Sequence, residues 1–298
     1  MTKPSEGKLN LLERTLPEGL LVDAGWMTKH GYSTGLRSQY VSAGWLVQPT
    51  RGTFKRPLGT LTWQKAVISL QTLLECRLIV GGRTALELQG VPHYLGTEGP
   101  TVVYLYGPDT PPGWLFKLPL KERFTFRKST THFKADPITK GLKNFAWNVQ
   151  NDTGAAADEF QAGPFKQIWG ESEWPLTISS PERALLELLD ELPHSESFQQ
   201  VDMLVEGLRN LSPRKLQKLL DDCRSVQVKR LFFWFADRHN HSWLKQIDRD
   251  KVDLGTGKRM LVKGGRLDPK YLITVPEDLS APLVAGSTQP RPPELSSG

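Results

Sequence analysis

The sequence of 298 residues predicts an α+β protein, in which an N-terminal winged helix-turn-helix is followed by a larger mixed α/β C-terminal domain. Three observations predict this class. Helical patterns precede a basic hairpin near the N-terminus, strand patterns fill 101–150, and periodic helical patterns dominate from residue 177. We expect a winged domain at 1–58, an α+β domain at 59–275 and a disordered, proline-rich tail at 276–298.

Helical segments are predicted at 7–16, 21–30 and 33–43, and each ends at a proline or a glycine. In the third segment, Ser33 or Thr34 can cap the N-terminus. The hairpin at 45–56 consists of a short apolar strand, a turn containing Gly52 and a basic return strand. The order of three helices followed by a basic hairpin is typical of a winged helix-turn-helix.

The third helix and the hairpin carry side chains suited to DNA. Arg37 and Gln39 can fork onto guanine or adenine edges, hydroxyl groups suit phosphates or bases, and basic wing residues reach a phosphate or the minor groove. The predicted DNA-binding residues are Ser33, Thr34, Arg37, Ser38, Gln39, Arg51, Lys55 and Arg56. Residues 1–56 contain eight bases and four acids, which favours a polyanionic partner. The alternative is a three-helix subdomain whose basic hairpin is merely a solvated edge.

Composition excludes several classes of protein. The chain is 38% hydrophobic, but it has no apolar run near the roughly 20 residues that a membrane span needs. The N-terminus lacks the apolar segment of a secretory signal, and the two cysteines, Cys76 and Cys223, lie far apart in sequence. A reducing cytoplasm fits best. The cysteines and six histidines show no zinc-type spacing, so we expect no metal and no cofactor.

Beyond the hairpin, 62–75 is predicted to be a helix with a buried apolar stripe. Gly81 and Gly82 then lead into a helix that Thr84 would cap. A phosphate-binding loop is one interpretation. However, the residues after these glycines include no lysine followed by Ser or Thr, so a tight turn into a packed helix is favoured. The strands are predicted at 102–106, 114–118, 124–127 and 145–149, and 151–163 is predicted to be a loop.

The most strongly marked helix begins after Ser180 and Pro181, and further helices are predicted at 198–208, 213–222 and 226–237. Charge is segregated in this half. Residues 207–271 contain sixteen bases and seven aspartates, about +9, which suits either a polyanion or an ordinary solvated face.

Two catalytic interpretations were weighed. The triplet from His239 to His241 contains the residue types of a nuclease motif, but three adjacent side chains point in different directions. Asp248, Asp250 and Asp253 alternate in a way that could bind a cation, yet no later glutamate completes a calcium loop.

Five motifs follow one another along the chain: Gly44-Trp-Leu with Arg51-Gly52, Val80-Gly-Gly-Arg-Thr-Ala-Leu-Glu-Leu-Gln-Gly90 with His93-Tyr94, Ser180-Pro-Glu-Arg-Ala-Leu-Leu-Glu-Leu-Leu189, Lys229-Arg230-Leu231 and Gly257-Lys-Arg259. In this order and spacing, from about residue 8 to 277, the chain resembles AbiEi-type antitoxins of type IV bacterial abortive-infection toxin–antitoxin systems. The resemblance implies a winged helix-turn-helix that represses its own operon at inverted repeats in double-stranded DNA. It also implies a C-terminal domain that counters a nucleotidyltransferase toxin without forming a stable complex with it.

On this basis the chain is expected to be a cytoplasmic DNA-binding antitoxin and autorepressor, and not an enzyme. Its candidate residues for antitoxin function are Lys229, Arg230, Lys258, Arg259, Lys263 and Arg266. Two alternatives stay open: a stand-alone winged-helix transcriptional regulator, which would lack an adjacent toxin gene, and a nucleic-acid-processing enzyme that uses the three aspartates.

Overall fold

A computed structural model describes residues 7–90, 100–145 and 163–279. The N-terminal part contains, in chain order, α1 (Lys8–Thr15), β1 (Leu21–Asp23), α2 (Ala24–Lys29), α3 (Thr34–Ser42) and β2 (Thr53–Lys55). β1 and β2 pair antiparallel, and Val47 forms a bridge to Lys55. A first strand between two helices that pairs with the hairpin after α3 is the arrangement of a winged helix, which confirms the predicted class.

The helix predicted at 21–30 is wrong at its start, because Leu21 and Val22 belong to a strand. Both side chains are completely buried, and the Leu21 backbone N–H donates to Ser69 Oγ at 2.9 Å. The helix begins only after Asp23, whose carboxylate accepts a hydrogen bond from the Trp26 backbone at 2.8 Å. An aspartate in this role separates the extended segment from the helix.

Helix α4 (Trp63–Thr72) contacts both the winged part and the sheet that follows it. Ser69 accepts the bond from β1, while the Gln71 amide donates to the carbonyl oxygens of Leu78 and Thr177 at 3.0 and 2.9 Å. The Thr177 N–H returns a bond to Gln71 at 2.9 Å. Helix α4 is therefore fixed to the winged part by Ser69 and to the sheet by Gln71.

The C-terminal part is built on a five-stranded mixed sheet with the strand order β5-β4-β3-β7-β6. Its strands are β3 (Ile79–Val80), β4 (Val102–Gly107), β5 (Arg123–Lys128), β6 (Phe165–Trp169) and β7 (Trp174–Ile178). β4 runs parallel to β5, β3 runs parallel to β7, and the other two pairings are antiparallel. The strands predicted at 102–106 and 124–127 are confirmed, whereas the β6–β7 hairpin was not predicted.

The strand predicted at 114–118 is wrong, because Leu115–Lys117 form a 3-10 turn. The Leu115 N–H donates to the Pro112 carbonyl oxygen at 3.0 Å, and this turn buries the leucine side chain. Several predictions fall wholly or largely outside the described residues: the strand at 145–149, the loop at 151–163, the motif residues His93 and Tyr94, and 280–298 of the tail.

Five helices pack against or beyond the sheet: α5 (Gly82–Leu88), α6 (Pro181–Asp190), α7 (Phe198–Gly207), α8 (Pro213–Asp222) and α9 (Val226–His239). Each of the last four begins after a serine whose hydroxyl accepts a hydrogen bond from the third residue of its helix. The four helices predicted in this half are confirmed. No helix in 7–90, 100–145 or 163–279 has the length and apolar character needed to cross a membrane.

A buried ion network organises the centre of this part. Arg183 of α6 is 1% exposed; its Nε donates to Glu187 at 2.8 Å and its Nη1 donates to Asp136 at 3.1 Å. The guanidinium lies 4.5 Å from the centre of the Phe133 ring. Arg183 therefore joins α6 to the segment that contains Phe133 and Asp136.

The same network explains the glycine pair before α5. The second Glu187 oxygen accepts hydrogen bonds from the Gly82 backbone at 3.0 Å and from Ser179 at 2.7 Å. A Cβ atom at Gly81 would lie 2.2 Å from that carboxylate. The Gly82 N–H is thus bound by the Glu187 carboxylate rather than left for a phosphate. The tight-turn interpretation is confirmed. Thr84 does not cap α5, because it is the third residue of that helix. Its hydroxyl donates to the Val102 carbonyl oxygen of β4 and accepts from the Tyr104 backbone N–H.

A small hairpin, β8 (Arg266–Asp268) with β9 (Ile273–Val275), packs against α9. Asp237 of α9 accepts hydrogen bonds from Arg249, Tyr271 and Lys270. Burial raises the pKa of Asp237, but these hydrogen bonds outweigh it and lower the pKa to about 2. Beyond β9, Glu277–Leu279 form a 3-10 turn at the start of the segment predicted as a tail.

We predict that Arg183→Met lowers the free energy of unfolding by about 3–5 kcal/mol, because Asp136 and Glu187 would lose the cation that compensates their burial. Arg123→Met is the matched control: Arg123 is exposed, and its replacement should change stability by less than about 0.5 kcal/mol. Chemical denaturation monitored by tryptophan fluorescence measures both. Equal stability of the two variants would contradict a central role for the network.

Candidate nucleic-acid interface

The outer face of α3 is polar along its whole length. Ser33 caps the helix by accepting a hydrogen bond from the Leu36 backbone at 3.3 Å, and Tyr40 packs into the core on the opposite side. The exposed residues are Ser33, Thr34, Gly35, Ser38, Gln39 and Ser42. Four of the predicted DNA-binding residues, at 33, 34, 38 and 39, therefore lie together on one accessible face.

Arg37 is placed differently from the prediction and is only 8% exposed. Its Nη1 donates to the Ala24 carbonyl oxygen at 2.6 Å and to Thr28 Oγ1 at 3.0 Å, and its Nη2 donates to Thr34 Oγ1 at 2.8 Å. The guanidinium also lies 5.7 Å from the centre of the Phe54 ring. The expectation of an exposed arginine is corrected: Arg37 connects α2 to α3, and both of its terminal nitrogens donate within the winged part.

Two of the three predicted wing cations are also engaged within the chain. Lys55 is 8% exposed, and its Nζ donates to the carbonyl oxygens of residues 56, 57, 58 and 59 at 2.9–3.3 Å. Burial lowers the pKa of Lys55. Arg56 pairs with Glu18 at 3.0 Å and donates to the Glu13 carbonyl oxygen at 3.3 Å. Both placements correct the expectation of basic side chains turned toward a ligand.

Arg51 keeps the predicted position. It is exposed at the tip of the hairpin, beside Gly52, whose φ of 83° permits the tight turn. Two apolar side chains that were not predicted as ligands, Trp45 and Val47, are 47% and 40% exposed on the hairpin. The Trp45 ring meets the Tyr40 ring edge-on at 5.3 Å, so it is held beside α3. In the sequence, Trp45 and Val47 were marked only by their apolar character at the base of the hairpin.

The candidate antitoxin residues divide into two groups. Lys229 and Arg230 are buried, at 5% and 2% exposure, which corrects their expected availability. Arg230 donates to the carbonyl oxygens of Leu254 and Gly257, each at 2.7 Å, and burial lowers its pKa. The remaining four, Lys258, Arg259, Lys263 and Arg266, are exposed on a segment at 257–266 that we call the basic loop.

The basic loop is held on a defined support. The Arg259 N–H donates to the Leu272 carbonyl oxygen at 2.8 Å, and its carbonyl oxygen accepts from Thr274 at 3.0 Å. Arg230 of α9 anchors the loop by its hydrogen bond to the Gly257 carbonyl oxygen. Met260, 76% exposed, adds an apolar side chain among the cations. The loop therefore presents a cationic surface with some apolar character.

Four of the residues in the two clusters that suggest catalysis have structural contacts. Asp248 pairs with Lys251 at 2.9 Å, and Asp253 accepts a hydrogen bond from the nearby Gly255 backbone at 2.8 Å. His239 bonds Asp202 at 2.7 Å, and His241 bonds the Val205 carbonyl oxygen at 2.8 Å. Within the described part of the chain, no group of three or more His, Cys, Asp or Glu side chains is placed to hold a metal ion.

Comparison with protein families gave two matches that together span most of the chain. Residues 5–97 match the family model described as the N-terminal domain of the AbiEi antitoxin, a transcriptional regulator. Residues 101–276, more than half of the chain, match the model described as transcriptional regulator, AbiEi antitoxin, type IV TA system. No curated protein matched the chain.

We predict that Arg37→Met weakens the winged part by about 1–3 kcal/mol, because carbonyl and hydroxyl acceptors between α2 and α3 lose their donor. Ser38→Ala, at an exposed neighbouring position, is the control and should leave stability within about 0.5 kcal/mol. Amide hydrogen exchange of α2 and α3 reports the local effect. Unchanged protection in Arg37→Met would show that these contacts do not hold the helices together.

Proposed function

The chain belongs to the AbiEi family of antitoxins and transcriptional regulators of type IV toxin–antitoxin systems, and from this membership we propose that it represses its own operon in the cytoplasm and counters a nucleotidyltransferase toxin. The family is one of regulators and antitoxins, not of enzymes. A transcriptional regulator binds DNA, and an antitoxin has a cognate toxin. The finer statements, autorepression and the class of toxin, are the proposal.

The observation that carries operator binding is the continuous exposed polar face of α3 beside a hairpin tipped by Arg51. A major groove about 12 Å wide admits a helix, so this face can lie against base edges. The hydroxyls of Ser33 and Thr34 at the start of α3 suit phosphate oxygens, where the helix dipole also favours negative charge. Arg51 then reaches an adjacent phosphate or the minor groove.

We predict that Arg51→Ala weakens binding to the operator and to a scrambled duplex by similar factors, since a phosphate contact carries no base information. The slope of log affinity against log salt should fall in magnitude by about 0.9. Fluorescence anisotropy with DNA from upstream of the gene measures both quantities. Arg123→Ala removes an exposed arginine from the C-terminal sheet and is the matched control.

An unchanged slope in Arg51→Ala would remove the wing tip from the interface. Footprinting on the same upstream DNA tests autorepression directly, because a regulator of other genes would leave its own promoter unprotected.

The basic loop supports a separate antitoxin surface. It carries four exposed cations and Met260 on a hairpin that Arg230 and Asp237 fix to α9. Such a surface suits a polyanion, whether this is the substrate of the toxin or another component of its pathway. It lies in a different part of the chain from the wing, so operator binding and protection can be separated by substitution.

We predict that Lys258→Glu combined with Arg259→Glu abolishes protection from the toxin while operator repression is retained. The exposed pair Lys245→Glu with Lys251→Glu changes the net charge equally outside the basic loop and should keep both activities. Growth rescue and a promoter reporter measure the two activities, and thermal melting verifies folding. Loss of both activities in a well-folded Lys258/Arg259 variant would refute the division of labour, and retained protection would refute the role of the loop.

A further inference from the structure

We propose that the operator contains an adenine that Gln39 recognises in the major groove. This inference rests on the proposed operator binding by α3. It goes further because it assigns a base to a face that the sequence alone left open between guanine and adenine.

The first step concerns which side chains α3 can extend into a groove. Along its exposed face, from Ser33 to Ser42, the side chains are short hydroxyls, a glycine and one long amide, Gln39. Serine and threonine hydroxyls bond several base edges and discriminate weakly between them. Within this face, Gln39 is therefore the side chain that can make two directed hydrogen bonds to one base.

The second step is the match between that amide and a base pair. The Gln39 amide has a donor group, its NH2, beside an acceptor, its carbonyl oxygen. Adenine presents the N7 acceptor beside the N6 donor in the major groove, so the two edges match. Guanine presents two acceptors there, N7 and O6, which suit an arginine or a lysine instead. Trp45 and Val47, exposed beside α3, are apolar side chains that suit the C5-methyl group of thymine.

The third step excludes the competing reader. Arg37 would favour guanine, but its Nη1 and Nη2 already donate to Ala24, Thr28 and Thr34 between α2 and α3. Extending it into the groove would break all three of these hydrogen bonds within the winged part. The contacts of Arg37 within the fold therefore shift the predicted base preference of α3 from guanine toward adenine.

The fourth step uses the size of such a contact. One bidentate side chain discriminates against a wrong base by about 5- to 160-fold, whereas specific sites are bound about 10³- to 10⁷-fold more tightly than other DNA. A single Gln39 contact falls below that range. Other contacts of the interface must therefore supply the rest of the specificity, and loss of Gln39 should relax the preference at one base pair.

The test is selection of bound duplexes from a randomised library by the full-length protein, with Gln39→Ala and Gln39→Arg in parallel. Wild type should enrich a consensus that contains the adenine. Gln39→Ala should lose the preference at that position by roughly 5-fold or more, and Gln39→Arg should replace the adenine by guanine. Ser42→Arg adds the same charge to the same face and should retain the adenine.

The outcomes separate the inference from the function on which it rests. A wild-type consensus that is unchanged in Gln39→Ala and Gln39→Arg would overturn the assignment of Gln39, although operator binding by the chain would stand. If wild type enriches no sequence while remaining folded, the proposed operator binding fails and the inference fails with it.

Discussion

The C-terminal part of the protein depends on the burial of one cation, Arg183, between Asp136 and Glu187. These three side chains are almost fully removed from solvent, so each charge is tolerable only while the others stay in place. Through Glu187, the same cluster holds the turn at Gly82 and Ser179, which follows β7. Through Asp136, it holds the segment that contains Phe133 and Asp136. The central helix, the sheet and the loop are thus positioned by a single electrostatic requirement.

The same use of cations recurs outside this cluster. Arg37 joins two helices of the winged part, Lys55 binds four carbonyl oxygens of the turn after the wing, and Arg230 supports the basic loop. Each is a basic residue that donates to the chain itself: Lys55 and Arg230 bind backbone carbonyl oxygens, and Arg37 binds one carbonyl oxygen and two threonine hydroxyls. Of the basic residues that the sequence assigned to ligands, those still available to a polyanion are consequently Arg51 and the four cations of the basic loop.

Local chemistry predicted much of the fold. Serine caps followed by amphipathic segments located α6 to α9, because a cap and an apolar stripe act within one or two turns of chain. Short strands were harder to recognise. β1 is three residues long and follows the same apolar pattern as the start of a helix, and only its pairing with β2 makes it extended. For the candidate site, the exposed face of α3 was predicted correctly in position, whereas three basic residues assigned to ligands serve the fold.

The sequence by itself determined the class of protein, most of its helices and the family, since periodicity, caps and motif spacing are properties of the chain taken in order. The tertiary structure alone decided which polar side chains remain accessible. Arg37 and Gln39 are two residues apart and both are candidates for reading a base, yet one points into the gap between two helices and the other into solvent. That difference depends on where Ala24, Thr28 and Phe54 come to lie, because a buried donor must find its acceptors within the fold.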